Sequence, residues 1–471
     1  FNRMFFRSRR GMVQSGWHSK ISIPFIHPRL ELTGISFLYL RHAFTMNQKE
    51  IDELLAAEVI TEETAGSIAA YYRSREDASP NRLLIVFGIL GAILVGLGII
   101  LIIAHNWDQF PISVKSAFAF LPLLIGQAFC AYTLVVKPRA DAWREGSAVF
   151  TFFGIGACIA LISQIYNIQG ELYSFLFTWM LLGAPLIYVM RSSMASLLFI
   201  AGSTYYAVTL GYFAFDRTAP WYFLLLMVAV PHYYLLSTRR PDSNFTFFHH
   251  WVVPLSLIIA LGTIGSGSEE FLMVAYMSML GIFYGIGQTA WVSTEKIRRN
   301  SYKILGSLGT VVLLLITSFE WYWDFLKSEV ALSTEFRSPE FFVAIILTLL
   351  AIFVFARNLK SRFDLERIKP VEPVFLVFAL TFMLGYFSGF SVVIVNILVF
   401  AVGLLTIREG ARIDNLGVLN YGLLVIAALV ICRFFDTDLS FVVKGLLFLV
   451  VGVGFFFANY RLIKSRREDD Q

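Results

Sequence analysis

The sequence predicts an all-α protein: a polytopic transmembrane helical bundle of about fourteen spans, preceded by a small N-terminal cytoplasmic helical hairpin. Three observations carry that expectation. The 471 residues are 57% hydrophobic and 15% charged, with a mean hydropathy of +0.69, more apolar surface than a water-soluble core of this length hides. Residues 83 to 104 hold no charged side chain. A helix of that length, rising about 1.5 Å per residue, crosses a hydrocarbon layer about 30 Å thick. The third observation is the way Lys and Arg are shared out between the segments that separate the apolar runs.

Residues 1 to 45 carry seven Lys and Arg against one acid, Glu31, so the remaining chain falls from the overall +5 to −1. The stretch has no sustained period, and Met46 opens the first well-patterned segment. It reads as a non-native or disordered extension, with an Arg-rich transit peptide as the alternative; Ile35 to Leu40 is too short for a secretory signal, and no small-residue cleavage site follows. This basic excess is neither clustered in a fold nor interleaved with stacking aromatics, which argues against nucleic acid as a partner. Cys130, Cys158 and Cys432 lie in apolar runs without metal-ligand spacing and read as small buried hydrophobes.

Residues 46–80 are the expected cytoplasmic hairpin. Ile51, Leu54 and Leu55 share one face, Val59-Ile60 breaks it, and Thr61 caps a second helix bearing Ala65, Ile68, Ala69 and Tyr72. Its apolar faces close on each other, on the membrane surface, or on a cytoplasmic protein partner through residues 47–75. Ser79-Pro80-Asn81-Arg82 ends it.

The transmembrane bundle, residues 81–460, divides into spans near 83–104, 117–136, 147–168, 174–190, 194–215, 220–236, 250–265, 270–292, 304–321, 340–356, 373–388, 390–407, 416–432 and 439–460, before a charged cytoplasmic tail, 461–471. Cytoplasmic loops collect Lys and Arg. With the hairpin placed inside, the inner segments hold twenty-five Lys and Arg and the outer ones five: Lys115, Arg217, Lys327, Arg337 and Arg433. One missed span would invert every later loop. The stretch 373–407 is split only by Ser388-Gly389; two short spans joined by a tight outer turn and a re-entrant pair both satisfy the charges. Gly88, Ala92 and Gly96, and Gly281 with Gly285, recur at fourfold spacing and mark close helix packing.

Polar chemistry enters the apolar runs at few places. Gln164, Asn167 and Glu171 stand three and four residues apart around Tyr166, so on one helical face they would line a polar cavity; the plainer reading is that the end of the span meets water. His232, after Pro231, is read either as a proton relay or base or as a hydrogen-bonded histidine near the cytoplasmic interface. Asn396, Asn420 and Lys444 complete the candidate cavity set. Lys444, five residues into its span, would cost about 2.5–3.5 kcal/mol at mid-depth, so it snorkels or pairs with Asp436 or Asp438. Asp108 with Lys115 forms the matching outer-face pair, and the stretches 108–120 and 436–448 resemble each other faintly. Aromatic–acid neighbours recur in the outer loops, at Trp107-Asp108, Phe215-Asp216, Trp323-Asp324 and Phe435-Asp436. They read as an interfacial aromatic belt or, alternatively, as an acidic vestibule. His249-His250 supplies no third metal ligand, and no cofactor motif or recognisable catalytic motif is present.

The run Gln164-Ile165-Tyr166-Asn167 to Gly170-Glu171, followed by Trp179 and Pro185, resembles bacterial membrane proteins catalogued as domain of unknown function 2157. Leu54-Leu55, Val59-Ile60-Thr61, Ala69, the Gly-rich first span and Asn106-Trp107 are similar to the same family. The resemblance covers roughly residues 47 to 190 and the many-span architecture after them. It implies a multi-pass protein of the bacterial inner membrane with a cytoplasmic helical hairpin, and no activity to carry over; the extension before Met46 departs from the family pattern. For function, the residues lean to transport of a small polar solute. A membrane scaffold or sensor whose hairpin binds a partner is the alternative, and a lipid-modifying enzyme the third reading.

Overall fold

The computed structural model describes residues 55–57, 59–61, 63–68, 107–213, 219, 221–265, 269–289, 291–292, 300–328, 338–362, 369–385 and 387–436, with scattered helical positions between 442 and 460. The chain divides into two compact units, residues 1–108 and 109–471.

In the first unit residues 63–68 are helical. Thr64 N donates to Thr61 Oγ1 (3.3 Å) and Ala65 N to the Thr61 carbonyl (2.9 Å), so Thr61 caps this helix as its sequence position predicts. The extension 1–45, most of the hairpin and the first apolar run lie outside the described residues.

The described part of the second unit is helical throughout. Its helices are α1 (Ile112–Val136), α2 (Asp141–Ile165), α3 (Leu172–Val189), α4 (Ser193–Gly211), α5 (Trp221–Arg239), α6 (Asn244–Leu261), α7 (Glu269–Ile286), α8 (Ser301–Ile316), α9 (Glu320–Ser328), α10 (Pro339–Arg362), α11 (Val374–Gly385), α12 (Phe390–Arg412) and α13 (Leu416–Asp436). Among the described residues nine helices are long and apolar enough to cross a membrane, and α7, α8 and α11 are shorter apolar helices. Leu349, Phe353, Leu380 and Ile397, each 62% exposed, face outward from helices of this kind, so lipid rather than water is the solvent of the bundle's surface.

Local chemistry sets several helix starts. Ser192, Ser243, Asn300 and Asn415 each accept a backbone N–H from the first turn of α4, α6, α8 and α13. Internal prolines at Pro122, Pro185, Pro231 and Pro254 are accommodated within helices, as membrane spans allow.

Loops that the charge rule places on one side meet in space. On the inner side Asp141 pairs with Arg240 (3.2 Å) and Arg144 (2.7 Å), Trp291 Nε1 donates to Ser237 Oγ (2.9 Å), Gln288 donates to Glu372, and Lys369 pairs with Glu409. On the outer side Ser116 bonds Tyr166 (3.1 Å), Asn396 Nδ2 donates to the Ser318 carbonyl (2.9 Å), and Arg433 donates to Ser318 Oγ (3.2 Å).

Two regions depart from expectation. The run near 304–321 ends at Ile316, and a separate short helix, α9, follows a turn at 317–319. In it Trp323 is fully buried and donates through Nε1 to the Thr317 carbonyl (2.7 Å), so this aromatic belongs to the core and not to an interfacial belt. The segment 373–407 is two unequal helices. Twelve residues make α11 about 18 Å long, less than the hydrocarbon layer, while the 23 residues of α12 exceed it.

Helices α7 and α10 run in the same direction: Phe271 packs on Phe341 (centroids 5.1 Å apart), Ser278 bonds Thr348 (2.8 Å), and Asn358 Nδ2 donates to the Gly285 carbonyl (2.9 Å). The predicted close contacts at Gly281 and Gly285 are present, a Cβ on them falling 3.0 Å from Phe375 and 2.6 Å from Val354. Backbones also approach closely between α7 and α8, where a Cβ on Gly306 would lie 2.5 Å from Tyr284 N. Gly306→Ala is therefore expected to destabilise the detergent-solubilised protein by about 1–3 kcal/mol through overpacking, read as a lowered unfolding midpoint.

Candidate functional site

The richest polar constellation lies at the ends of α2, α4, α5, α6 and α8 that the distribution of Lys and Arg would put inside. It begins with Glu145, one turn into α2. Its carboxylate accepts from Ser192 Oγ, from Ser193 N (3.0 Å) and from Met194 N (2.9 Å). These donors form the first turn of α4, where free N–H groups and the helix dipole favour an anion. Arg191, with φ 49°, turns the chain sharply enough to deliver them. Ser192 is used twice, donating to Glu145 while accepting from Ala195 N (3.1 Å).

Ser193 Oγ then lies 3.2 Å from His232 Nε2 on α5, and the His232 ring sits 6.0 Å from that of His249 on α6. His249 Nδ1 is 2.8 Å from the Phe245 carbonyl, which only accepts, so Nδ1 carries the proton. In the neutral ring Nε2 is then the acceptor for Ser196 Oγ, 3.0 Å away. Tyr233 stacks on His249 (5.9 Å, 11° between planes) and its hydroxyl meets His250 Nδ1 (2.5 Å) and Tyr302 OH (3.1 Å). Trp291 packs edge-on against Tyr233 and His250, and Ser301 donates to the His250 carbonyl.

Ser196 and His249 are completely buried, and Ser193, Tyr233, His250 and Tyr302 are buried; His232 is half-buried and is the imidazole that opens outward. His249 stands five residues into α6, about 8 Å from its inner start. The arrangement can relay a proton between imidazoles, hydroxyls and a carboxylate, or offer donors and acceptors to a polar ligand. Among the described residues no group of three or more His, Cys, Asp or Glu is placed to hold a metal ion.

The predicted cavity set does not come together. Gln164, Tyr166, Asn167 and Glu171 are exposed at the outer end of α2, nineteen residues or about 28 Å beyond Glu145. They do not share a helical face, because α2 stops at Ile165 and Asn167 takes a left-handed φ of 47°. Asn396 is half-buried on α12, donating also to the Val392 carbonyl (2.8 Å), and Asn420 is exposed on α13. Among the described members of the set, His232 alone reaches the network. Asp108 is exposed in the short turn Trp107–Gln109, and Lys115 is half-buried in the first turn of α1. Asp436 closes α13, while Asp438 and Lys444 lie outside the described residues.

Sequence reading missed Glu145, Ser193, Ser196, Tyr233 and Tyr302. The available signals were His249-His250 at the start of an apolar run and the Arg191-Ser192-Ser193 turn between two others.

Residues 52–196 match the model of a family described as predicted membrane protein (DUF2157), the family that the motifs of α2 and α3 resemble. The match takes in Glu145, Ser192, Ser193 and Ser196, and ends before the histidines. No curated protein and no solved structure matches the chain.

Proposed function

We propose that this integral membrane protein moves a small polar solute across the bilayer, and that the inner network from Glu145 to Tyr302 is where proton and solute are handled. One observation carries the reading. Three imidazoles and two phenols, each hydrogen-bonded to another residue, sit inside a bundle whose packing is otherwise largely apolar. Ionisable groups at that depth are costly and commonly mark solute or proton paths.

The topology that goes with it has about fourteen spans, both termini and the hairpin in the cytoplasm, and the bacterial inner membrane as its location. The meeting of Asp141 with Arg240 and of Lys369 with Glu409 supports the inner side of that assignment, and the family resemblance supports the location.

The test is uptake into liposomes holding the purified full chain, over a panel of labelled small polar solutes, with and without a pH gradient. We expect uptake of at least one solute, stimulated by the gradient, and loss of most of it in His249→Ala and His232→Ala reconstituted to the same level. A panel that accumulates nothing under either condition overturns the reading.

A second reading is favoured by the capped helix at residues 63–68: a scaffold or sensor whose hairpin binds a cytoplasmic partner. Deleting residues 47–75 separates the two, since transport then survives while partner binding is lost. A lipid-modifying role for Ser193 and His232 is less well supported. The amides of Ser193 and Met194, which would have to polarise a substrate carbonyl, are engaged by Glu145.

A further inference from the structure

We infer that the inner ends of α1 and α2 form a binding site for an anionic phospholipid of the cytoplasmic leaflet, with one acyl chain in the groove between the helices and the headgroup on Lys137 and Arg139. The groove is an open cleft of about 390 Å³ bounded by Phe129, Trp143 and Phe150, with Gly146 and Ala142 along its floor. A Cβ placed on Gly146 meets nothing within 4 Å, so the floor is empty where a side chain would fill it.

The walls are held by aromatic pairs: Phe129 against Phe150 (centroids 5.7 Å apart) and Trp143 against Tyr132 (5.4 Å). Phe129, Trp143 and Phe150 are nevertheless 43%, 46% and 41% exposed, leaving a continuous apolar slot. Its one hydroxyl, on Ser147, is engaged with the Trp143 carbonyl at 2.7 Å. Such a slot takes a hydrocarbon chain better than anything polar, and a tryptophan in the first turn of α2 is at the depth where chains meet headgroups.

The charge in the turn between the slot's two helices selects the headgroup. The four residues 137–140 joining α1 to α2 carry Lys137 and Arg139, both exposed and, among the described residues, without an ion pair. The acid that follows them, Asp141, is drawn toward Arg144 and Arg240. Two cations therefore lie in the turn that joins the two helices of the slot, with the carboxylate next to them in sequence already engaged, an arrangement complementary to a phosphodiester carrying a net negative charge.

Quenching of Trp143 fluorescence by brominated acyl chains tests this in lipid nanodiscs. The chain has nine tryptophans, so the Trp143 signal is taken as the difference between the native protein and Trp143→Phe. Brominated phosphatidylglycerol should quench it at roughly tenfold lower mole fraction than brominated phosphatidylcholine. Lys137→Ala with Arg139→Ala should bring the two lipids level without lowering the unfolding midpoint, and Gly146→Leu, which fills the slot, should weaken quenching by both. Equal quenching by the two lipids in the native chain overturns the inference, as does a preference that survives loss of both cations. Absence of quenching by either lipid also overturns it, because another part of the chain then covers the slot.

Discussion

Glu145→Ala is expected to destabilise the protein by about 3–5 kcal/mol, because it removes the acceptor for three donors at once. The Ser192 hydroxyl and the amides of Ser193 and Met194 have little access to water, and Ser192 and Ser193 are buried. Glu145→Gln keeps one oxygen for the Ser193 amide but turns an NH2 group toward donors that need an acceptor, so it should cost nearly as much. Ser192→Ala removes both the bridging hydroxyl and the α4 cap, and about 1–2 kcal/mol is expected from the cap alone. Unfolding midpoints in detergent provide the measurement. If the alanine variant at 145 unfolds with the native protein, the carboxylate does not hold the start of α4 and the inner network loses its anchor.

The second large effect is expected at Trp323. Its burial makes Trp323→Ala a cavity-forming change worth about 3–5 kcal/mol, whereas an interfacial belt tryptophan would lose much less. Trp323→Phe separates shape from polarity: the ring is largely kept, the bond to the Thr317 carbonyl is lost, and about 1 kcal/mol should go with it. A Trp323→Ala variant as stable as Trp321→Ala, whose parent side chain is 61% exposed, would return this residue to the membrane surface.

Much of the architecture was legible in the sequence because the bilayer imposes a strong constraint. Apolar length located the helices, and the hydroxyl of Thr61 located the start of the one it caps. The site was less legible for two physical reasons. Its partners are far apart along the chain: Glu145 and Ser193, Ser193 and His232, and Tyr233 and Tyr302 are separated by 48, 39 and 69 residues. Serines and tyrosines in an apolar helix also look alike whether they face lipid or a neighbouring span. In the opposite direction, the spacing of Gln164, Asn167 and Glu171 implied a shared face only if the helix continued, and the left-handed backbone at Asn167 ends that inference. The three-and-four rule describes a helix, and these residues lie at its end and beyond.

The parallel pairing of α7 with α10 has a consequence for biogenesis. A hydrogen bond such as Ser278 to Thr348 joins residues 70 positions apart, so α7 leaves the insertion machinery well before its companion is translated. A nascent chain halted ahead of Pro339 would hold Ser278 and the narrow groove at Gly285 without their native cover, open to whatever chaperone or neighbouring segment reaches them first.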